Sequence, residues 1–267
     1  MKTLELQELL DEKVKKFNNS SFLTADPIGI PHRFSLKQDI EISGFFAAIL
    51  AWGNRKSIIN NCNRLMHLMD ESPYDFVINH SPTDLIKFDK FVHRTFNCTD
   101  LLFLIEAFKG FYKEHNTLEV LFTPKIDDST VKSGLENFHS SCFKLDYAPL
   151  RSKKHIATPQ KKSACKRLNM YLRWMVRDDS NGVDFGIWKS IKPSQLICPL
   201  DVHVLKVANY LGLINTSKSN WQTAELLTSK LRQFDANDPV KYDFALFGMG
   251  LEGIGDSKIS DRPKFAM

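Results

Sequence analysis

The spacing of apolar residues constrains this chain more than any other feature, because it is helical nearly throughout. Leu4, Leu6, Leu9, Leu10, Val14 and Phe17 recur at three- and four-residue intervals, which places them on one face of an amphipathic helix. Ile40 to Trp52 is apolar nearly all round, as in a helix buried on every side. Ile58, Ile59, Cys62, Leu65, Met66 and Met69 mark a third helix and Leu101 to Phe111 a fourth. Asp238-Pro239 reads as a start signal, an acceptor at N-cap followed by proline. The helix it opens carries Tyr242, Phe244, Ala245 and Phe247, with Gly248 expected to stop it. Alternating patterns never exceed four or five residues. Only 12 glycines and 11 prolines interrupt 267 residues, so chain breakers are few. The fold class that follows is all-α.

At ~150 residues per domain the length allows about two compact units or one large one. Between Pro124 and Lys162 the pattern weakens and Ser, Asp and Lys take over. That stretch reads as a long connection, or a short helix between loops, separating two lobes. A hydrophobic fraction of 43% with 25% charged residues excludes disorder and low complexity. The longest apolar run, Gly44 to Gly53, is far short of the ~20 residues that cross a bilayer. The charged, amphipathic N-terminus has no secretory h-region, so a cytoplasmic protein, located at the nucleoid if it serves DNA, is expected. Cysteines at 62, 98, 142, 165 and 198 form no C-x-x-C pair; they offer no local zinc or iron–sulfur spacing and read as small buried hydrophobes. No metal and no cofactor is expected.

The net charge of +5 is too mild in bulk to name a partner. It is unevenly spread. Residues 151 to 177 hold Arg151, Lys153, Lys154, Lys161, Lys162, Lys166, Arg167, Arg173 and Arg177 with no acidic residue, so nine positive charges sit on 27 residues and the other 240 carry −4. With His155, Tyr171 and Trp174 interleaved, the block matches the footprint of a phosphate-backbone contact; a solvated helix face is the plainer alternative. Ser163 is a candidate N-cap for a helix to about Arg177, with Leu168, Leu172, Met175 and Val176 inward. Lys166, Asn169 or Met170, Arg173 and Arg177 would then form the opposite, polar stripe. Lys166 falls in the first turn, the unfavourable end of the dipole for a cation, and is crowded by Lys162 and Arg167. Those neighbours disfavour its charged form and suit it to Schiff-base chemistry, although on the residues alone phosphate binding is the plainer role for this lysine. Thirty-five residues on, Cys198-Pro199-Leu200-Asp201-Val202-His203-Val204 places Asp201 as N-cap of a helix ended by Gly212. A cap is also all that Asp201 need be.

Read together, Lys166 and the segment Pro199 to Val204 resemble the helix–hairpin–helix (HhH-GPD) DNA glycosylase superfamily, which includes endonuclease III and the 8-oxoguanine DNA glycosylases. Its marks are a lysine opening the second helix of the hairpin and a P-x-D-x-H-V type segment carrying an aspartate. Ile49 to Lys56 (ILAWGNRK) looks like the helix end that wedges into the gap left by a flipped base. Most of the chain, through PHRF, LAWGNRKSIIN, RTFN, SACKRLNMYLRWMVR, CPLDVHV and NDPVKYDFALFGMG, resembles an uncharacterised bacterial family distantly tied to 8-oxoguanine glycosylases. Three departures stand out. Pro159 to Cys165 lacks the hairpin glycines that let backbone amides approach phosphate. The lysine-to-aspartate separation is longer than in endonuclease III. The C-terminal cysteine cluster is missing, so no iron–sulfur cluster is implied.

The resemblance implies a single two-lobed helical domain over 1–267 with a cleft between lobes, residues 151–212 holding a degenerate hairpin and the aspartate segment. It implies a base-excision glycosylase for an oxidised purine such as 8-oxoguanine, with Asp201 facing the charge that develops at C1′ and Lys166 as nucleophile of an associated lyase. The implied partner is double-stranded DNA with a damaged base, bound by a monomer without a membrane. Lys153, Lys154, Lys161, Lys162, Arg167, Asn54 and Arg55 are the candidate DNA contacts; Trp52, His203, Trp174 and Phe247 are candidates for the base pocket or wedge. A non-catalytic DNA-binding module and an RNA- or nucleotide-directed enzyme using the same pair are the alternatives.

Overall fold

The computed structural model describes residues 2–179 and 181–255, and they are overwhelmingly helical. In chain order the helices are α1 (Lys2–Phe17), α2 (Lys37–Leu50), α3 (Arg55–Leu68), α4 (Pro73–Asn79), α5 (Cys98–Glu114), α6 (Glu119–Phe122), α7 (Lys132–Phe143), α8 (Lys166–Val176), α9 (Val202–Tyr210), α10 (Trp221–Leu231) and α11 (Tyr242–Leu251). Short 3₁₀ turns join them, and one antiparallel pair, β1 (Val92–His93) with β2 (Phe96–Asn97), precedes α5. No helix among these residues is long and apolar enough to cross a membrane.

The chain divides into two compact units. Unit II comprises Leu23–Lys125 and Lys132–Ala157; unit I comprises the described parts of Met1–Phe22, Ile126–Val131 and Thr158–Met267. The chain passes between the units four times, once at Phe22–Leu23 and three times inside the stretch read as a separator, which is not a plain linker: it contains α7, a full part of unit II.

Unit II is built around α2. Ile40 through Leu50 are all buried, and Phe45 and Phe46 meet Phe108 of α5 edge-on at 4.9 and 5.8 Å, the geometry the ring quadrupole favours. The buried Glu41 is satisfied by Tyr112 Oη at 2.7 Å, the Leu118 amide at 3.0 Å and the Thr117 hydroxyl. At the start of α5, Asp100 accepts the Asn97 amide, the Ser152 hydroxyl at 2.7 Å and Arg151 Nη1 at 2.6 Å.

Unit I is organised by α11, which packs on α1 and α9. Gly248 does not stop α11, which runs on to Leu251. It marks instead a close helix crossing: a Cβ there would lie 2.2–2.5 Å from the Phe17 ring of α1. Nor does Asp238 cap this helix. Pro239 opens a 3₁₀ turn with no side-chain cap, and the Asp238 carboxylate is engaged by Arg177. Gly212, at φ 72°, supplies the left-handed turn that ends α9, with Leu213 N reaching back to Ala208 O at 2.9 Å.

Candidate lysine–aspartate site

Lys166 is the first residue of α8. Thr158 and Pro159 begin a 3₁₀ turn that ends at Lys162, whose backbone is left-handed at φ 59°. Cys165, the N-cap, is left-handed as well at φ 49°. Residues other than glycine thus occupy two conformations that glycine adopts most easily. The turn is fixed by its surroundings. Trp221 N donates to Lys162 O at 3.1 Å, Asn169 Nδ2 donates to Ala164 O at 3.0 Å, and the Cys165 side chain is buried. Ser163 is not the cap of α8; its hydroxyl accepts the Cys165 amide at 3.2 Å, a local turn that delays the helix by two residues.

Asp201 caps α9. Its Oδ1 accepts the amides of His203 and Val204, both at 2.9 Å, while Oδ2 lies 3.9 Å from Lys166 Nζ. Capping and pairing therefore do not compete, since each uses its own oxygen. The 35-residue separation is closed by α8 and α9 bringing their first turns together. Both side chains keep access to water, at 28% and 20% exposure. To the helix dipole and the neighbouring cations around Lys166 the fold thus adds a carboxylate.

A second acid belongs to this neighbourhood and carries no motif in the sequence. Asp243, in α11, is 5% exposed; it accepts Arg173 Nη1 at 2.5 Å and lies 4.0 Å from the Cys198 thiol. Burial is the main force pushing its carboxyl up to about 6; Arg173 opposes the rise, Asp201 adds to it and Lys166 opposes it. The only signal in the sequence was a lone acid between Tyr242 and Phe244 in an otherwise apolar helix.

The basic block is divided between the two units. Residues 151–157 belong to unit II and 158–177 to unit I. Arg151 is held by Asp100. The expected polar stripe of α8 is largely interior: Asn169, Arg173 and Arg177 are buried. Arg173 pairs with Asp184 and Asp243, and Arg177 pairs with Asp179, Asp184 and Asp238. The reason is that carboxylates fold onto the helix from two places, Asp179 and Asp184 just beyond its end and Asp238 and Asp243 some 60–70 residues on. Lys154, Lys161 and Lys162 remain exposed, while Lys153 and Arg167 are half-buried. Burial pulls the Arg167 guanidinium below its ordinary range, and Lys153 Nζ sits 5.6 Å over the Phe143 ring.

The pocket candidates separate too. Trp174 is completely buried, so it is a core residue rather than pocket lining. Its carbonyl accepts Phe185 N at 2.8 Å, and Trp188 N donates to Met175 O at 2.9 Å, so segment 185–188 satisfies the last turn of α8. His203 and Phe247 do meet, edge-on at 6.5 Å, both half-buried in unit I. In unit II, α2 ends at Leu50, leaving Trp52 beyond it under the Arg94 guanidinium at 4.6 Å. Asn54 serves as N-cap of α3, its side chain accepting Ser57 N, and Arg55 is exposed. Four of the five cysteines are buried as expected; Cys98 is half-buried, and all five are free thiols. Among the described residues no three His, Cys, Asp or Glu side chains gather as a metal site would need.

Fold and site together define an all-α protein in which a lysine opening one helix faces an aspartate capping another. The chain belongs to the family described as "Protein of unknown function (DUF2400)", whose model matches residues 26–252. No curated protein and no solved structure matches it.

Proposed function

We propose that this protein is a DNA N-glycosylase for an oxidised purine such as 8-oxoguanine, with an associated lyase step. The observation that carries the reading is the Lys166–Asp201 pair, 3.9 Å apart at the meeting of two helix N-termini. In the proposed reaction the C1′–N bond breaks and the base leaves with the bonding electrons, taking up a proton. Asp201 faces the positive charge left on the sugar. The neutral Lys166 amine forms a bond to C1′ and loses a proton, and opening of the C1′–O4′ bond leaves an iminium. Loss of a C2′ proton then expels the 3′ phosphate. The turn before α8 supports this reading: Lys162 and Cys165 adopt left-handed conformations where the resembled family carries glycines, and Lys161 and Lys162 stand exposed there as candidate phosphate contacts.

Borohydride trapping tests the proposal. Incubated with duplexes carrying 8-oxoguanine or an abasic site, the protein should give a covalent adduct as hydride reduces the iminium, and Lys166→Gln should abolish it. No adduct on any lesion, with salt-dependent duplex binding retained, would overturn the proposal in favour of a binding module. Asp201→Asn keeps an acceptor at the N-cap, where Asn and Asp are about equal, so turnover should fall while stability and DNA affinity hold. Asp201→Ala should cost a further ~1 kcal/mol of stability.

A further inference from the structure

Arg151, Arg173 and Arg177 are tied up in ion pairs, but unit II carries cations that are not. Arg55, Lys56, Arg64, Lys90 and Arg94 are exposed, and among the described residues none of them lies in an ion pair. No acid occurs from Trp52 to Met69. Asp70 and Glu71, just beyond α3, are engaged by Lys87 and Arg33, which leaves Asp89 as the acid beside Lys90.

These cations sit on a stiff frame. α3 turns Ile58, Cys62, Leu65 and Met66 into the core and Lys56, Asn60, Asn63 and Arg64 to water. The β1–β2 hairpin is stitched to it through His93, whose Nδ1 accepts Asn61 Nδ2 at 3.1 Å and whose Nε2 donates to the Trp52 carbonyl at 3.2 Å. Further along α3, Arg64 Nη2 donates to the Lys90 carbonyl at 3.4 Å. His93 opposes Phe96, so Arg94 and Thr95 form the hairpin's two-residue turn. Arg94 has φ 56° there, a conformation that Asn or Gly adopts more easily. Its guanidinium lies 4.6 Å over the Trp52 ring, where the indole face favours a cation. Gly53 leaves room for it, since a Cβ there would lie 2.7 Å from Arg94 Nη1. A turn, an indole and a glycine thus hold one guanidinium in place with no carboxylate to receive it.

We propose that this surface, Arg94 on Trp52 together with Lys56, Arg64 and Lys90, docks the phosphate backbone of duplex DNA. Its charge is complementary to a phosphate row, and Ser57, Asn60 and Asn63 between the cations are the uncharged side chains that also bond phosphate oxygens. Lys56 and Arg64 are eight residues apart on α3, about 12 Å, roughly the axial rise of three or four phosphates of one strand. A helix lying on a lipid surface would add Trp, Phe or Leu to its outward side chains; α3 shows water Asn, Ser, Lys and Arg instead. The inference adds a contact surface to the proposed function and rests on that reading for the choice of DNA.

Fluorescence anisotropy with an undamaged duplex, titrated at several salt concentrations, reads this contact without base excision. At 0.1 M salt Arg94→Ala should weaken binding about five- to tenfold, and Lys56→Ala with Arg94→Ala at least about thirtyfold. The slope of log K against log salt should become shallower by about one and about two respectively. Lys113→Ala, which removes an exposed cation of α5, should change neither. Unchanged affinity and slope in the folded double variant overturn the inference, as does tighter binding of wild type to phosphatidylserine vesicles than to the duplex. If circular dichroism shows Arg94→Ala unfolded, Arg55→Gln with Lys56→Gln carries the same expectation and the same refutation. The borohydride adduct is scored separately, so either proposal can fail while the other stands.

Discussion

Removing the cation at the centre of the buried acid cluster gives the sharpest test of how unit I is held together. Arg177 is 4% exposed at its side chain; its Nε donates to both Asp238 oxygens at 3.0 and 2.9 Å, and Nη1 reaches Asp179 at 3.2 Å and Asp184. Burial works against its charge, but Asp184 and Asp238 override it and hold the guanidinium cationic. Arg177→Met keeps much of the volume and leaves the acids behind. Asp184 is completely buried and would keep only the shared Arg173, a loss that costs about 3–5 kcal/mol for a broken buried pair. Asp238 and Asp179 reach water at 26% and 11% exposure, so each adds under about 1 kcal/mol. A loss of 3–5 kcal/mol is a large part of a typical total of roughly 5–15 kcal/mol, yet leaves a folded protein to measure. With about 140 residues in the unit and ~2.1 cal/mol/K per residue, Tm should fall by about 10–17 °C. The pH dependence identifies the cause. Burial raises the Asp184 carboxyl already, and without Arg177 it takes a proton more readily, removing the stranded charge. The deficit by urea unfolding should therefore be largest near pH 7.5 and shrink towards pH 5, and Asp184→Asn in the same chain should recover at least half of it. A deficit below about 1 kcal/mol near pH 7.5, or one indifferent to pH, would refute the reasoning.

Gly248→Ala should destabilise unit I by about 1–3 kcal/mol, because its methyl would enter the Phe17 ring; calorimetry should show Phe17→Leu in the same chain restoring part of the loss, and equal losses in single and double variants would sink the explanation. Asp243 should leave a mark on stability with a definite sign. Its folded pKa, about 6, lies above the ordinary 3.8, so its contribution is full below pH 3.8 and is lost as pH rises through 6. The lost part is about 2 pK units, or roughly 3 kcal/mol. Asp243→Asn stays neutral, so the stability difference between variant and wild type should move by that amount in the variant's favour between about pH 3.5 and pH 7.5; parallel urea-unfolding curves would show that Arg173 outweighs burial.

Helices were legible where one face or every face is apolar, because burying such a face is a local demand written at helical spacing. Hence α2, α3 and α5 fall where the sequence put them, and α9 begins at its capping aspartate. Boundaries that depend on remote partners were not legible. Ser163 looks like a cap until the Cys165 amide takes its hydroxyl, Asp238 looks like one until Arg177 engages it, and Gly248 looks like a stop until Phe17 is seen against it. Trp174 shows the same limit, since nothing local says that an aromatic beside basic residues will be sealed inside.

By itself the sequence determined an all-helical chain, the first-turn position of Lys166 and the cap at Asp201, because periodicity, propensity and capping act within a few residues. The tertiary structure alone decided that these two side chains meet, and that Asp243 lies beside them. It also decided that Arg151, Arg173 and Arg177 are paired with acids, among them Asp100, Asp243 and Asp238, which lie far from them along the chain. Charge acts through space, with a reach set by distance and burial rather than by position in the sequence, and only the folded chain fixes either.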